Sequence, residues 1–516
     1  MVIAHPALRA LALPIGVAVV IVAVIWPTLM PGVGFWDTAE FQTVPPILGT
    51  MHPTGYPTYV LIGFVANVLL TPLGEPAFRM NVLSLIAVVA AAVVAAWLVR
   101  SLTGRTAIAA AVGIGLAFTP VAWAIATRAD AHALHIAFVA LLLVLLVRWE
   151  AARAAGAGHA GRWLVIAAAV YGLAAGNHSL TLLLALPIAL YVLSVQPAIL
   201  REPRLVAACL VVAIGALALV YLELPLRAGP FRAPLVYAAP ETWDGFWYIA
   251  LAEQFRGSLH DPLGDLPAKF GTLAAFATKQ LGPLALAVPV GFLATLGRAP
   301  RFALLTGSAL LITILFNASY SNADIERYYL GPALFAWVWL GLLAGTIANQ
   351  VGIARGPGGP AAVLGPGPRR LEALLSGVLA AALLVPTVAA FPARSTVLDR
   401  SPDTSARRWL DAVLDALPPD SVLVSWWSYS TTLWYGQHVE GRRADILVVD
   451  DRTRLDRDYG EVPDVIDRFL LSRPVYLMRA SSHDLGPLLR QYELEALPGD
   501  TLQNVYRVIG LKEPAG

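Results

Sequence analysis

The chain has 516 residues, of which 58% are hydrophobic and 14% are charged, and its mean hydropathy is +0.67. Because soluble proteins carry roughly 25% charged residues, this composition excludes an ordinary soluble enzyme. The net charge of +2 is too small to indicate a nucleic-acid partner. The single cysteine, Cys209, excludes a disulfide framework and a cysteine-based metal site.

The charged residues are concentrated at the C-terminal end, where residues 394–516 hold 34 of the 70. We therefore predict a multi-pass membrane domain over residues 1–393 and a soluble domain over residues 394–516. Only three of the 36 basic residues are lysines. This bias indicates a GC-rich bacterial genome, so we expect an integral protein of the bacterial plasma membrane.

Eleven apolar segments are candidates to cross a bilayer, for which a helix needs about 20 apolar residues. They are 11–30, 80–99, 106–126, 131–149, 163–177, 179–196, 205–224, 281–297, 302–318, 328–350 and 371–391. A further apolar stretch, 56–73, decides the topology. If it lies in the outer interface without crossing, every short basic loop is cytoplasmic. We therefore expect the N-terminus inside, the C-terminal domain outside and, at Gly356–Pro368, a flexible cytoplasmic linker.

The C-terminal residues alternate helix-like and strand-like segments. The helical patterns are at Ser405–Leu417 and Asp464–Leu471. The strand-like runs are Ser421–Trp427, Asp445–Val449, Pro474–Arg479 and Val505–Ile509. Such alternation predicts a small extracytoplasmic α/β domain.

Two acids lie in the first outer loop, within the run GFWDTAEFQ. Asp37 and Glu40 are three residues apart, so a helix starting there would place both carboxylates on one face. A carboxylate partly desolvated by the neighbouring aromatic pair can have a raised pKa and act as a general base. The alternative is that both are solvated loop acids.

The same loop continues with HPTGYP, whose prolines and glycine predict a turn leading into the stretch 56–73. His52 either faces a cleft or is an ordinary hydrogen-bonded loop residue. Three further outer loops carry ionisable or amide side chains, which at membrane depth tend to pair or to serve substrate chemistry. They contain Arg128, Asp130 and His132; Asn177 and His178; and Asp324 and Arg327. A local Arg128–Asp130 ion pair is the structural alternative.

Three runs, WDTAEF, HPTGYPTYVLIG and FRMNVLSLIAVVAA, resemble the N-terminal signature of polytopic glycosyltransferases of the GT-C superfamily. The similarity is to the branch known as domain of unknown function 2723, which includes transmembrane protein O-mannosyltransferases. Weaker blocks at Thr127–Leu134, Gly172–Leu180 and Ala323–Pro332 extend the resemblance over most of the first 335 residues. The resemblance implies a GT-C-like helical fold and transfer of a sugar, such as mannose, from a polyprenyl phosphate on the non-cytoplasmic face.

By this resemblance Asp37 matches the catalytic acid of the first loop and Glu40 matches its partner. The turn residues that match the HPPGYP motif of the family are His52, Gly55 and Tyr56. The chain departs from the family at Thr54, where a second proline is expected, and at Asp130 and His132, where a Glu and a Tyr are usual. These departures leave open which second acid assists and which sugar is accepted.

Our leading hypothesis is an inverting glycosyltransferase in which Asp37 takes the proton of an acceptor hydroxyl. Arginines suit the leaving phosphate because a guanidinium matches two phosphate oxygens. The candidates for binding the donor are Arg327, Arg128 and Arg79, with His52, Tyr56, Asp130, His132, Asn177, His178 and Asp324 as further contacts. The stretch 56–73 and the outer loop Leu226–Lys279 are expected to wall the cleft.

The co-substrate would be a lipid-linked sugar in the membrane, and the acceptor a protein or a glycan. No cofactor is predicted, and the outer loops show no spacing that demands a metal ion, although a divalent cation fits carboxylates. A secondary transporter or lipid-linked sugar flippase is the alternative, but no inverted repeat is evident. A binding module on a membrane anchor is disfavoured because eleven spans exceed what anchoring needs.

Overall fold

The computed structural model describes residues 6–353, 367–479 and 481–512. Most of the linker expected at 356–368 lies outside these residues. The helices of the membrane part are α1 (Pro6–Ile25), α2 (Trp36–Ile47), α3 (Pro57–Leu69), α4 (Pro76–Thr103), α5 (Thr106–Ala117), α6 (Pro120–Ala126), α7 (Ala131–Ala154), α8 (Gly161–Asn177), α9 (Ala185–Val195), α10 (Pro203–Tyr221), α11 (Glu223–Ala228), α12 (Trp243–Ala250), α13 (Leu266–Leu281), α14 (Val288–Arg298), α15 (Pro300–Ser319), α16 (Leu330–Ile353) and α17 (Gly367–Leu398).

Helices fill all the segments that were predicted to span the membrane. Among the described residues, eight helical segments are long and apolar enough to cross, or nine if α5 and α6, bent by 66°, form one span. The helices around 161–177 and 179–195 are shorter. The chain is an integral membrane protein, while the count of eleven spans stays a prediction.

The stretch 56–73, whose path decides the topology, consists mainly of α3. This helix has 13 residues, which rise by about 20 Å at 1.5 Å per residue. A bilayer core is about 30 Å thick. The length of α3 therefore agrees with the expectation that this stretch does not cross.

The core of the membrane part forms around α4, α5, α7 and α16. Small residues on α4, among them Ala92 and Ala96, are fully buried and allow neighbouring helices to approach closely. Helices at the periphery of the bundle, such as α10, instead expose large apolar side chains, including Val211 and Ile214. Because an exposed apolar face is stable in lipid and not in water, these helices face the bilayer.

The C-terminal residues form a five-stranded sheet with flanking helices, which confirms the predicted α/β domain. Its elements are α18 (Ser405–Ala416), β1 (Val422–Val424), α19 (Trp427–Trp434), β2 (Leu447–Val449), α20 (Asp451–Asp456), α21 (Val462–Leu470), β3 (Val475–Met478), α22 (Ser482–Gln491), β4 (Tyr492–Ala496) and β5 (Val505–Leu511). The strand order is β2-β1-β3-β5-β4, with β1 parallel to β2 and β3 and with β5 antiparallel to β3 and β4. Sequence analysis did not anticipate α19, α20, α22 or β4.

The C-terminal domain packs directly on α2, the helix that carries Asp37. Helix α19 lies against α2, and the Thr432 hydroxyl donates to the Gly34 carbonyl oxygen over 2.8 Å. The Ala77 amide donates to the Tyr435 hydroxyl oxygen over 3.2 Å. Helix α17 continues to Leu398, past the predicted domain boundary at residue 394. The contacts on α2 bring this domain next to Asp37.

Candidate active site

Helix α2 presents the two acids of the first loop to different surroundings. It begins at Trp36, so Asp37 lies in its first turn, where the helix dipole favours a negative charge. The side chain of Asp37 is 28% exposed and lines a cavity. Glu40, one turn later, is completely buried and is not part of the cavity wall. Asp37 is therefore accessible from the cavity, whereas Glu40, which was predicted to share its helix face, is not.

Arg327 joins three carboxylates, two of which are distant from it in sequence. It lies in a 3-10 turn, Ile325–Tyr329, directly before α16. Its Nη2 donates to Asp37 Oδ2 over 2.6 Å and its Nη1 to Asp130 Oδ2 over 3.2 Å. Asp324 Oδ2 is 3.6 Å from the same Nη2 and also accepts from Arg128 Nη2 over 3.4 Å. The alternative of a local Arg128–Asp130 pair is thus replaced by a network that ties three loops together.

Asp130 is held by more than its contact with Arg327. It caps the N-terminus of α7, where its Oδ1 accepts from the His132 amide over 2.9 Å and lies 2.9 Å from His132 Nδ1. Its own amide donates to Ser84 Oγ on α4 over 3.0 Å. Asp130 is 1% exposed. It therefore positions Arg327 and His132 without reaching the cavity itself.

Glu40 fixes the turn that follows α2. Its carboxylate accepts from the His52 backbone amide over 3.0 Å and contacts His52 Nδ1 at close range. The other ring nitrogen of His52 lies 3.4 Å from the Tyr56 hydroxyl. His52 and Tyr56 both line the cavity. Glu40 thus orients His52 from behind, which resembles the way a buried carboxylate holds a functional imidazole.

A buried amide network aligns α2 with the other outer loops. Gln42 Oε1 accepts from the Gly34 amide, and Gln42 Nε2 donates to Asn81 Oδ1, both over 2.8 Å. Asn81 Oδ1 also accepts from the Ala129 amide over 2.8 Å. The network fixes Asp37 and Asp130 relative to one another. Sequence reasoning missed Gln42 and Asn81, although both lie inside the quoted motifs.

These side chains surround a cavity of about 380 Å³. Asp37 and Arg327 are on one side, with His132, His178 and Tyr328 close by. The rings of His132 and His178 are centred 4.4 Å apart, and both have a buried Nε2 without a hydrogen-bond partner among the described residues. The remaining wall comes from the outer loop, which includes Gln254, Phe255 and Arg256. Unpaired polar atoms in such a cavity are available to substrate hydroxyls.

The C-terminal domain supplies one further side of this cavity. Trp427, the first residue of α19, lines it and packs edge-on against His52 with ring centroids 5.3 Å apart. Arg452 lies over the ring of Tyr248, 4.8 Å from its centroid, and so fixes the outer loop. The Ala238 amide donates to Asp456 Oδ2 over 3.2 Å. Sequence analysis missed Trp427, which it read as the end of a strand.

Two of the predicted donor contacts, Arg79 and Asn177, belong neither to the cavity wall nor to the ion-pair network. Arg79 donates through Nη1 to the Asn67 carbonyl oxygen over 3.1 Å and through Nε to the Gly74 carbonyl oxygen over 2.6 Å, so it holds the end of α3. Asn177 is fully buried and donates to the Ala131 carbonyl oxygen over 3.1 Å. Neither residue lines the cavity.

The charges of the site follow from its burial and its ion pairs. Burial alone would raise the pKa of Asp37, but the Arg327 guanidinium outweighs it and holds the pKa below its usual value of 3.8. The expectation of a raised pKa was therefore wrong, because Arg327 was not foreseen as a partner. Burial would likewise lower the pKa of His52, yet the Glu40 carboxylate raises it above 6.5. Asp37 is thus ionised at neutral pH.

Across the described ranges, no group of three or more His, Cys, Asp and Glu side chains has the spacing to hold a metal ion. Cofactor and metal requirements stay predictions.

The chain has the fold of GT-C membrane glycosyltransferases. It superposes on ArnT from Cupriavidus metallidurans, solved with undecaprenyl phosphate, with a TM-score of 0.57 over 97% of this chain and 98% of ArnT at 16% identity. It also superposes on AglB from Archaeoglobus fulgidus, an archaeal oligosaccharyltransferase solved with an inhibitory peptide and a dolichol-phosphate, with a TM-score of 0.52. That match covers 97% of this chain and 74% of AglB at 12% identity. At these identities the similarity shows the fold alone.

Within this class the sequence relates to one family. Residues 37–200 match the family described as Protein O-mannosyl-transferase TMEM260 N-terminal domain. Protein O-mannosyl-transferase TMEM260 of Mus musculus is 29% identical over 236 residues, which are 44% of this chain and 32% of that protein. The match thus spans about a third of the curated relative. The predicted resemblance is confirmed, and the matched range 37–200 contains Asp37, Glu40 and His52.

Proposed function

We propose that the chain is an inverting glycosyltransferase that moves a sugar from a polyprenyl phosphate to an acceptor hydroxyl on the extracytoplasmic face. One observation carries the proposal: an ionised carboxylate, Asp37, lies at a cavity of sugar size and is paired with a cation that can neutralise a leaving phosphate. The O-mannosyltransferase relative and the lipid phosphates bound by ArnT and AglB support the same chemistry. Mannose is therefore the first sugar to test.

The reaction that fits this geometry is a single displacement. The acceptor hydroxyl donates its proton to Asp37 as its oxygen forms a bond to C1 of the sugar. The bond between C1 and the phosphate oxygen breaks, and the electron pair leaves with the phosphate. Attack from the face opposite the phosphate inverts the configuration at C1. Arg327 balances the charge, and His132 and His178 offer hydrogen bonds to the sugar hydroxyls.

The transporter alternative fits the charges less well. Transport sites lie near the middle of the membrane between repeats. Here Asp37, Asp130 and Arg327 all lie at helix ends, because Asp37 starts α2, Asp130 caps α7 and Arg327 precedes α16. Such a cluster fits chemistry at one surface.

The test is transfer from radiolabelled polyprenyl-phosphate mannose in purified membranes, with protein or glycan acceptors. We expect a labelled product whose anomeric configuration is opposite to that of the donor. Retention of configuration would contradict single displacement. Cysteine labelling supplies the orientation, since positions near Asp265 and Asp420 should react from outside and those near Arg153 from inside. Labelling of position 420 from the cytoplasm alone would refute an extracytoplasmic site.

A further inference from the structure

Two histidines on the cavity wall, His132 and His178, are held by opposite kinds of hydrogen bond. His178 directly precedes the 3-10 turn Ser179–Leu184, and its Nδ1 accepts from the Leu180 amide over 3.2 Å. Because a backbone N–H can only donate, Nδ1 of His178 carries no proton. The imidazole is therefore neutral and carries its single proton on Nε2. His178 thus presents an N–H donor at Nε2.

His132 has the opposite arrangement. Its Nδ1 lies 2.9 Å from Oδ1 of Asp130, whose other oxygen accepts from Arg327. An ionised carboxylate can only accept, so Nδ1 of His132 carries a proton. A second proton, on Nε2, would create an N–H that no acceptor of the described chain reaches. The neutral ring avoids that cost and presents a lone pair at Nε2.

Neither of these Nε2 atoms is paired. Both are buried and make no hydrogen bond within the described ranges, and the two rings are centred only 4.4 Å apart. The buried amides of Gln42 and Asn81, in contrast, have partners for both their oxygen and their nitrogen. Unpaired buried polar atoms are rare, and each one needs an explanation. The two Nε2 atoms therefore indicate a ligand group that meets both of them.

Aromatic rings shield the two histidines from water. The ring of Tyr328 is centred 5.0 Å from that of His132 and 5.7 Å from that of His178, and the ring of Tyr56 is centred 5.6 Å from that of His178. All four residues line the active-site cavity, and each histidine is 3% exposed. In such surroundings a hydrogen bond is stronger, and an unmade one costlier, than in water. A ligand that makes only one of the two bonds is therefore disfavoured.

We propose that His132 and His178 together select one sugar hydroxyl, which donates to Nε2 of His132 and accepts from the Nε2–H of His178. The inference rests on the proposed function and adds to it the chemical group that the site distinguishes. A hydroxyl both donates and accepts, whereas a methylene does neither and an ammonium only donates. The pair therefore favours an unmodified hexose over its deoxy or amino analogue at one ring position. Asp130 and the Leu180 amide are positioning groups, because they set the polarity of each ring.

The two histidines adjoin the reacting centre through Arg327. One terminal nitrogen of the guanidinium contacts Asp37 and the other contacts Asp130, which holds His132. A sugar whose C1 lies beside Asp37 thus extends toward the histidines along the same cavity wall. Selection of the hydroxyl is separate from proton transfer, so a change at His178 should alter the preference among sugars while Asp37 keeps its partners.

The test compares kcat/KM for polyprenyl-phosphate mannose with kcat/KM for its monodeoxy analogues, one for each hydroxyl of the sugar, with the purified full chain in nanodiscs. One analogue should be used roughly 10²–10⁴-fold less well than mannose, because it leaves two buried groups unpaired. In His178→Asn this preference should fall about tenfold or more, because one of the two bonds is lost. Asparagine can still accept from the Leu180 amide, so the turn is retained.

His135→Asn is the matched control. His135 lies on α7 one turn after His132, its ring is centred 5.6 Å from that of His178, and it does not line the cavity. This variant should keep the preference of the wild type. An undiminished preference in His178→Asn, or an equal loss in both variants, would overturn the proposal. An ammonium analogue that is used as well as mannose at the selected position would also overturn it.

Nitrogen NMR of the histidine-labelled full chain tests the polarity of the two rings without any transfer reaction. The signals of each ring are those that disappear in His132→Asn or in His178→Asn. We expect a protonated Nδ1 and an unprotonated Nε2 in His132, and the reverse in His178. Two protonated nitrogens in His132, or the same tautomer in both rings, would overturn the proposal.

The results separate this inference from the proposed function. Transfer of mannose with the same kcat/KM for every analogue would reject selection by the two histidines and leave the glycosyltransferase standing. A chain that transfers no sugar from any donor, but shows both tautomers as expected, would reject the activity and retain the opposite polarity of the two rings.

Discussion

Replacement of Asp37 by Asn is the sharpest perturbation of the proposed chemistry. Asparagine keeps the size of the side chain but cannot take a proton from the acceptor. The structure indicates that the site remains assembled, because Arg327 keeps Asp130 at 3.2 Å and Asp324 at 3.6 Å. The amide oxygen of Asn can still accept from Arg327. The variant therefore separates the loss of a base from the loss of the site.

The expected magnitudes for rate and stability differ widely. Loss of a general base typically costs roughly 10²–10⁴-fold in rate. A hydrogen bond to a charged group is worth about 1.5–3 kcal/mol, and Asp37→Asn weakens one such bond without abolishing it. The free energy of unfolding should therefore fall by less than about 3 kcal/mol. We expect kcat of Asp37→Asn to fall by roughly 10²–10⁴-fold, while membrane insertion and donor binding stay near wild type.

The assay is transfer of labelled mannose by purified protein in nanodiscs, with thermal stability measured in parallel. Asp445→Asn is the matched control, since Asp445 accepts from Arg443 over 2.9 Å, is 33% exposed and lies outside the cavity. The control should keep its transfer rate. If Asp37→Asn retained more than about a tenth of wild-type activity, Asp37 would not be the base.

Three further variants test the neighbours of Asp37. Arg327→Ala should lose transfer and also roughly 3–5 kcal/mol of stability, because it leaves Asp130 buried without its cation. Arg327→Lys should recover only part of the activity and stability, since an ammonium cannot bridge both carboxylates. Full recovery of kcat and Tm in Arg327→Lys would contradict this. Glu40 raises the pKa of His52 above its ordinary 6.5, so the positive charge of His52 is lost only as the pH rises through that raised pKa. Glu40→Gln should therefore shift the alkaline limb of the kcat/KM profile to lower pH. An unchanged limb would refute the coupling between Glu40 and His52. Trp427→Ala should raise KM for the acceptor or donor while lowering Tm only slightly, because Trp427 lines the cavity. Unchanged kinetics would refute a role for Trp427 in substrate binding.

The gathering of the site residues on one surface follows from the sequence because loops of alternate hairpins share a side. That rule brought Asp37, Arg128, His132, His178 and Arg327 to one surface. The structure places all of them except Arg128 at the cavity, and Asp324 links Arg128 to Arg327. Spacing along a helix was less informative. Glu40 shares a helix face with Asp37, but the amide and ring of His52 draw its carboxylate into the interior.

The partners of each charge could not be predicted, since they depend on tertiary packing. A local pair of Asp130 with Arg128 was one alternative, yet Asp130 pairs with Arg327, 197 residues away. Nothing in the run SVLVSWW distinguishes a strand that ends at Val424 from one that continues, because Trp427 has a high strand propensity. Its place at the cavity is set by the docking of α19 on α2.

In the structure, Arg327 neutralises neighbouring carboxylates and is not free to bind a phosphate. It contacts Asp37 and Asp130 directly, so binding a phosphate would require it to give up part of an existing pair. When Asp37 takes up a proton and loses its charge, Arg327 can shift its interaction toward the departing phosphate oxygen. The same guanidinium would then serve the base before transfer and the leaving group after it.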